Sequence, residues 1–231
     1  MRMKGWLKDI INLIYPVQCH ICGNPLASHE KFLCSHCLQS LPRTGYHRNP
    51  GNPMEQKLAG FVPFKSATGH FFYSRDSSLA QLIQDMKYRG FHELGVFLGQ
   101  EAGAELYTSG FLSDIDIIVP VPMHYLKKAG RGYNQSDKIS EGISKATGLP
   151  WQDALRMTRS RKTQTSLSGS QRLRNAENLF QVRKGINLES KNILVVDDIC
   201  TTGTTIGAAA KALKDAFPSA SIYYFALGIA F

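Results

Sequence analysis

The sequence has no stretch approaching eighteen uninterrupted apolar residues, which argues against a transmembrane helix. It has no low-complexity tract and no evident internal repeat, so fibrous and disordered classes drop out. Its N-terminus does not read as a secretion signal. Met1 to Pro16 is apolar but carries Lys4, Lys8 and Asp9, with no small-residue cleavage site before the cysteines. A cytoplasmic protein is expected. Acidic residues are scarce in one region: between Arg156 and Lys184 stand eight Arg and Lys residues against the single acid Glu177. The whole chain of 231 residues carries a formal charge of +9. Anionic partners follow, although charge alone does not choose between nucleotide, nucleic acid and membrane surface, and a solvated basic face is the plain alternative.

Cysteine is also sparse, and four of the five cysteines fall close together as Cys19-His20-Ile21-Cys22 and Cys34-Ser35-His36-Cys37. Two C-x-x-C turns can aim four thiolates at one ion in the tetrahedral arrangement that Zn²⁺ prefers. A redox dithiol or disulfides are the alternatives, and a reducing compartment opposes disulfides. The stretch from Cys19 to Leu41 has too few large apolar residues for a core of its own, so the metal reads as structural. Ahead of it, Trp6, Ile10, Leu13 and Ile14 share one face of a short helix. The organisation expected is a helix and Cys₄ knuckle over residues 1–45, followed by an α/β domain over residues 60–231.

Pro42 to Pro63 is rich in Gly, Pro and Asn and reads as a connector. Phe61 to Tyr73 suggests a hairpin turning near Ala67-Thr68-Gly69. Leu79, Leu82, Ile83 and Met86 recur at helical spacing up to Arg89-Gly90, and a second helix is expected from Leu94 to Leu106. Ile115 to Val119 reads as a strand stopped by Pro120-Val121-Pro122, and Gly132 to Ala146 as a helix. Ile193 to Val196 is a buried strand, Thr204 to Phe217 a helix, and Ser221 to Ile229 a last strand. Apolar strands alternating with helices predict a mainly parallel sheet covered on both faces. Ligands in such sheets bind at the carboxyl ends of the strands, after Val119 and Val196.

After Val196 come Asp197, Asp198, Ile199 and Cys200, then Thr201-Thr202-Gly203-Thr204-Thr205 at the start of a helix. Free amides at a helix N-terminus bind anions, and Gly203 permits close approach or a positive φ. The macrodipole adds only about 0.3–1 kcal/mol, so converging hydrogen bonds must do most of the holding. Carboxylates repel a phosphate, so Asp197 and Asp198 must face another part of the ligand. A vicinal diol supplies two O–H donors that ionised carboxylates accept well. The run fits neither a P-loop nor a dinucleotide loop, and phosphotransfer or metal-hydrolase acids are the competing use of such a pair. A ribose 5-phosphate fits the whole pattern.

Ile193 to Thr205 resembles the phosphoribosyl-pyrophosphate signature of type I phosphoribosyltransferases, and the wider chain resembles the ComF (competence protein F) family. The resemblance runs through the four-cysteine knuckle, Met86-Lys87-Tyr88-Arg89-Gly90, Val119-Pro120-Val121-Pro122-Met123-His124, Arg131-Gly132-Tyr133-Asn134-Gln135, and the stretch Arg159 to Phe180 with Thr163-Gln164, Arg174 and Asn175. It implies a type I phosphoribosyltransferase-like fold. Asp197 and Asp198 would hold the ribose diol, and Thr201, Thr202, Gly203, Thr204 and Thr205 the 5-phosphate. Val121, Pro122 and Met123 would form the pyrophosphate loop. Arg131, Arg161 and Lys162 would meet the pyrophosphate, with bridging Mg²⁺. Cys200 is a departure, either a thiol activated at a helix start or simply a small residue.

The resemblance carries two functions. One is displacement of pyrophosphate from C1 of the ribose, for which the clamp, nest, cations and a loop between Arg156 and Phe180 are present. No base-recognition segment is readable; Phe71, Phe72, Tyr73 and Trp151 could stack on a base, but core packing is their favoured use. The other is support of natural transformation. There the protein would handle single-stranded DNA beside a competence helicase, peripheral to the inner membrane through its partners. A zinc-bearing scaffold with a vestigial pocket is the plain third option.

Overall fold

The computed structural model describes residues 16–123, 130–158 and 179–231. The expected helix around Trp6 to Ile14, His124, and the residues Arg159 to Asn175 with Arg161 and Lys162 lie outside the described residues.

Four strands, β1 (Ser66–Tyr73), β2 (Ile117–Pro120), β5 (Asn192–Cys200) and β6 (Ser221–Ala230), form one parallel sheet in the order β1-β6-β5-β2. A parallel bridge between Ile118 and Trp151 adds the stub of another strand beyond β2. Two short strands, β3 (Leu155–Met157) and β4 (Phe180–Val182), pair antiparallel beside it. The helices are α1 (Ser35–Ser40), α2 (Pro53–Leu58), α3 (Ser78–Tyr88), α4 (His92–Thr108), α5 (Gln135–Thr147) and α6 (Thr204–Ala216). This is the mainly parallel sheet, covered on both faces, that the alternating pattern predicts.

Alternate residues of the central strands go to opposite sides, as the period of two requires. Ile193, Val195, Tyr224 and Ala226 pack with α2 and α6. Leu194, Val196, Phe225 and Leu227 pack with α3, α4, α5 and the cysteine knuckle. The knuckle residues Cys19, Leu33, Cys37 and Leu41 thus share the second core cluster of the sheet domain.

Helices α4 and α5 pack backbone to backbone. A Cβ on Gly99 would stand 2.3 Å from the Ile139 carbonyl oxygen, and one on Gly142 would stand 2.2 Å from the Val96 oxygen. Backbone cannot swing aside as a side chain does. Gly142→Ala should therefore destabilise by about 3 kcal/mol, the upper part of the usual overpacking range. A urea midpoint within error of wild type would show that the helices part at little cost.

Two expectations need correction. Phe61 to Tyr73 is no hairpin: Ala67, Thr68 and Gly69 sit within the single strand β1, pairing Tyr224, Phe225 and Ala226. Gly69 is there for space, since a Cβ would come within 2.7 Å of Ile229. The connector is also more ordered than Gly, Pro and Asn suggested. Asn52 caps α2 by accepting from Met54 N at 2.9 Å and Glu55 N at 3.2 Å, with Pro53 at the first helical position. Met54 and Leu58 then bury completely.

Candidate functional site

From β2 the chain leads through α5 to Trp151 on one outer side; from β5 it leads through α6 to β6 on the other. Neighbouring strands whose connections diverge leave a crevice at their carboxyl ends, where ligands bind in open α/β sheets. The crevice walls are the loop 121–123 and the end of β5. They are tied together by Val121 N donating to Val196 O at 2.8 Å and Asn134 Nδ2 donating to Val121 O at 3.0 Å.

β5 runs further than its apolar run suggested, so both aspartates are strand residues, with Asp197 opposite Ala226 and Ile199 opposite Gly228. The two acids have different settings. Asp197 is 8% exposed, and its Oδ1 accepts from Ser136 Oγ at 3.2 Å and from Asp198 N at 2.9 Å. Burial first, then the charge of Asp198, holds its carboxyl far above the ordinary carboxylate range. Asp198 is more open. Its Oδ2 meets Lys87 Nζ at 2.7 Å, and its Oδ1 accepts from Ile199 N at 2.7 Å.

The raised pKa of Asp197 has a signed consequence. The folded state holds this proton more tightly than the unfolded chain. The associated stability is therefore complete below the unfolded value of about 3.9 and is lost as pH rises through Asp197's own raised value. Asp197→Asn keeps the Oδ1 acceptor and removes the ionisation, so its urea midpoint should fall less than wild type's over that window. Parallel pH curves for the two proteins would refute the assignment.

Past the acids the chain turns at Gly203, whose φ of 80° begins α6. A Cβ there would both strain the backbone and approach Leu58 Cδ2 to 2.8 Å. Thr201, Thr202 and Thr205 are exposed and Thr204 half-buried among the described residues. Thr202 and Thr204 hydroxyls stand 2.9 Å apart. Asp197 and Thr201 to Thr205 line one shallow hollow, and Pro122 and Met123 line another with Asn134, Asp137 and Arg156. Cys200 ends β5, 2% exposed, and burial pushes its thiol up to about 11. It packs in the core, which favours the reading of a small residue over that of an activated thiol.

Three supporting residues escaped the sequence reading of roles. Lys87 sat in a family motif without a task. Ser136 had no signal beyond its place in the first turn of α5. Lys57, in the connector, donates from Nζ to Thr201 O at 2.5 Å and Ala230 O at 2.6 Å, tying the start of the Thr201–Thr205 turn to the end of β6. Arg131 lies over the Tyr88 ring at 5.1 Å and donates to Gln135 at 3.3 Å. Among the described residues, the structure thus gathers 121–123, 197–198 and 201–205 at one end of the sheet, with Arg131 beside Tyr88, the residue after Lys87.

The four knuckle thiols lie within 4.8 Å of one another, with Cys22 and Cys34 sulfurs 3.8 Å apart. A tetrahedron with Zn–S bonds of about 2.3 Å needs sulfurs about 3.8 Å apart, so the donor set fits the ion. No pair is joined as a disulfide. At Cys19 burial opposes the thiolate, but N–H groups of Cys22, Cys34 and Ile21 outweigh it and bring the thiol down to about 6.

The sequence matches the phosphoribosyl transferase domain over residues 96–226 and the double zinc ribbon domain over residues 10–57. Competence protein F of Haemophilus influenzae is 31% identical over 213 residues, covering 85% of this chain and 90% of its own. The chain belongs to the ComF family. Within the reach of these ComF relatives, DNA utilization protein YhgH of Escherichia coli (strain K12) is 29% identical over 202 residues, 84% of this chain and 77% of that protein. A solved adenine phosphoribosyltransferase aligns over 66% of this chain and 75% of its own, at 15% identity and a TM-score of 0.39. The zinc ribbon match and the clustered thiols of this ComF chain support a structural zinc ion at Cys19, Cys22, Cys34 and Cys37. Among the described residues no helix is long and apolar enough to cross a membrane.

Proposed function

We propose that this ComF protein binds phosphoribosyl pyrophosphate at the end of β5 and serves the handling of single-stranded DNA during uptake. One observation supports the pocket above others. A glycine-hinged turn, with three of its four threonines exposed, opens α6 shortly after the half-buried carboxylate of Asp198 near the end of β5. The amides and hydroxyls of Thr201 to Thr205 take the 5-phosphate. Asp198, with the edge of Asp197 behind it, takes the ribose hydroxyls. Val121 to Met123 bound the pyrophosphate, toward which Arg131, Arg161 and Lys162 supply positive charge. Mg²⁺ would neutralise the pyrophosphate oxygens when bound.

The DNA role draws support from the names of the relatives, DNA utilization protein and competence protein F, and from the basic balance of the chain. Such binding should weaken steeply with salt. The enzymatic alternative uses the same pocket: the C1–O bond to pyrophosphate breaks while an acceptor lone pair forms the new bond at C1. Calorimetric titration of the full chain with phosphoribosyl pyrophosphate and Mg²⁺ tests the pocket. A saturable heat is expected, and a flat titration removes this reading. Pyrophosphate release across a panel of bases then separates turnover from binding alone.

A further inference from the structure

Four successive residues at the end of α3 each engage a different part of the molecule. Asp85, 3% exposed, meets the His20 ring at 2.9 Å and Arg89 at 3.1 Å. The Met86 carbonyl accepts from the Tyr133 hydroxyl, next to Asn134 and its bond to the 121–123 loop. Lys87 meets Asp198, and Tyr88 lies under Arg131. His20 itself lies inside the first zinc turn, between Cys19 and Cys22. One turn earlier on α3, Gln81 Nε2 donates to the His20 carbonyl at 2.5 Å. Just past α3, Phe91 stands edge-on to the His20 ring at 4.5 Å. The zinc turn therefore grips α3 over its last two turns, on either side of the residues that reach the crevice.

We propose that the zinc turn braces the ribose-phosphate pocket, with His20 and Asp85 as positioning residues that set where Lys87 meets Asp198. The inference rests on the reading of Asp198 as a ribose ligand given above. Two physical points carry it. A nearly buried carboxylate needs its partners, so the Asp85 contacts fix the orientation of the helix end rather than decorate it. Lysine has a long stem with high rotamer freedom, so its ammonium holds a set place only if its own backbone is fixed. The path from Cys19-x-x-Cys22 through His20, Asp85 and Lys87 to Asp198 consists of direct contacts and two peptide bonds of helix. A knuckle that only stabilised the fold would lower the melting temperature and leave the affinity of the folded protein unchanged.

The test uses the full, zinc-loaded chain as wild type, His20→Ala, His20→Gln and Asp85→Asn. Zinc content, amide hydrogen exchange at residues 86–90 and calorimetry with phosphoribosyl pyrophosphate and Mg²⁺ are measured on each. His20→Ala should keep its zinc, exchange at least about tenfold faster at 86–90 and bind the ligand about tenfold more weakly. His20→Gln, whose amide can donate to Asp85, should recover most of both effects. If His20→Ala fails to hold zinc, Asp85→Asn, which lies outside the metal turn, decides by the same readouts. Exchange at 86–90 unchanged in the zinc-retaining variant overturns the brace. If wild type itself gives no heat, the pocket reading falls, and the exchange data still decide the brace on their own.

Discussion

Asp198→Asn is expected to weaken phosphoribosyl pyrophosphate binding by roughly a hundredfold while leaving the fold in place. The substitution is a controlled one. Asparagine keeps the Oδ1 acceptor that receives Ile199 N, so the strand end should not rearrange. What disappears is the charge and the Oδ2 acceptor, which an NH₂ donor replaces. Hydrogen bonds to a charged group contribute about 1.5–3 kcal/mol each, and a vicinal diol makes two, so a loss near 3 kcal/mol is a conservative figure. Lys87 also loses its counter-ion, but the pair is partly solvated and the effect on stability should stay within about 1 kcal/mol. Equal calorimetric heats for wild type and variant would show that the ligand does not use this carboxylate. The site would then have to be sought elsewhere.

Stripping the zinc should have the largest effect on stability. Apparent zinc binding energies for small knuckles are about 10–16 kcal/mol, comparable to the whole stability of a typical domain. The cost here is not confined to the knuckle, because Leu33 and Leu41 are buried in the same cluster as α3 and α4. Exposing two leucines costs about 1.5–3 kcal/mol each, which for a chain of this length lowers the melting temperature by about 10 °C or more. Chelation, or Cys37→Ser, should also open residues 16–41 to proteolysis. A melt insensitive to chelator, with no zinc released, would mean that the thiols hold no structural ion.

The sheet-and-helix plan was readable because it rests on repeats of residue type. Leu79, Leu82, Ile83 and Met86 mark α3 within a residue or two of its ends. The errors came where polarity and backbone disagree. Asp197 and Asp198 look like the end of a strand by hydropathy, yet their backbones continue the ladder to Cys200. Gly69 looks like a turn and is a gap left for Ile229. The cap signal Asn52-Pro53 was present but lay in a stretch otherwise typical of loops. Within the candidate site, the turn at Gly203 was legible because a glycine before a helix start is a signal local in sequence. Lys57 and Lys87 were not, since their partners Thr201 and Asp198 lie far along the chain and no local period announces such a pair.

The strand order has a consequence for how the protein is made. β6, the last strand in sequence, lies between β1 and β5, so the two parts of the sheet share no seam until it arrives. A nascent chain emerging from the ribosome must carry β1 with its edge unpaired through most of synthesis, and such edges invite aggregation. Pairings between segments this distant also place the chain among slow folders. Soluble yield that rises with chaperone co-expression is the expected outcome.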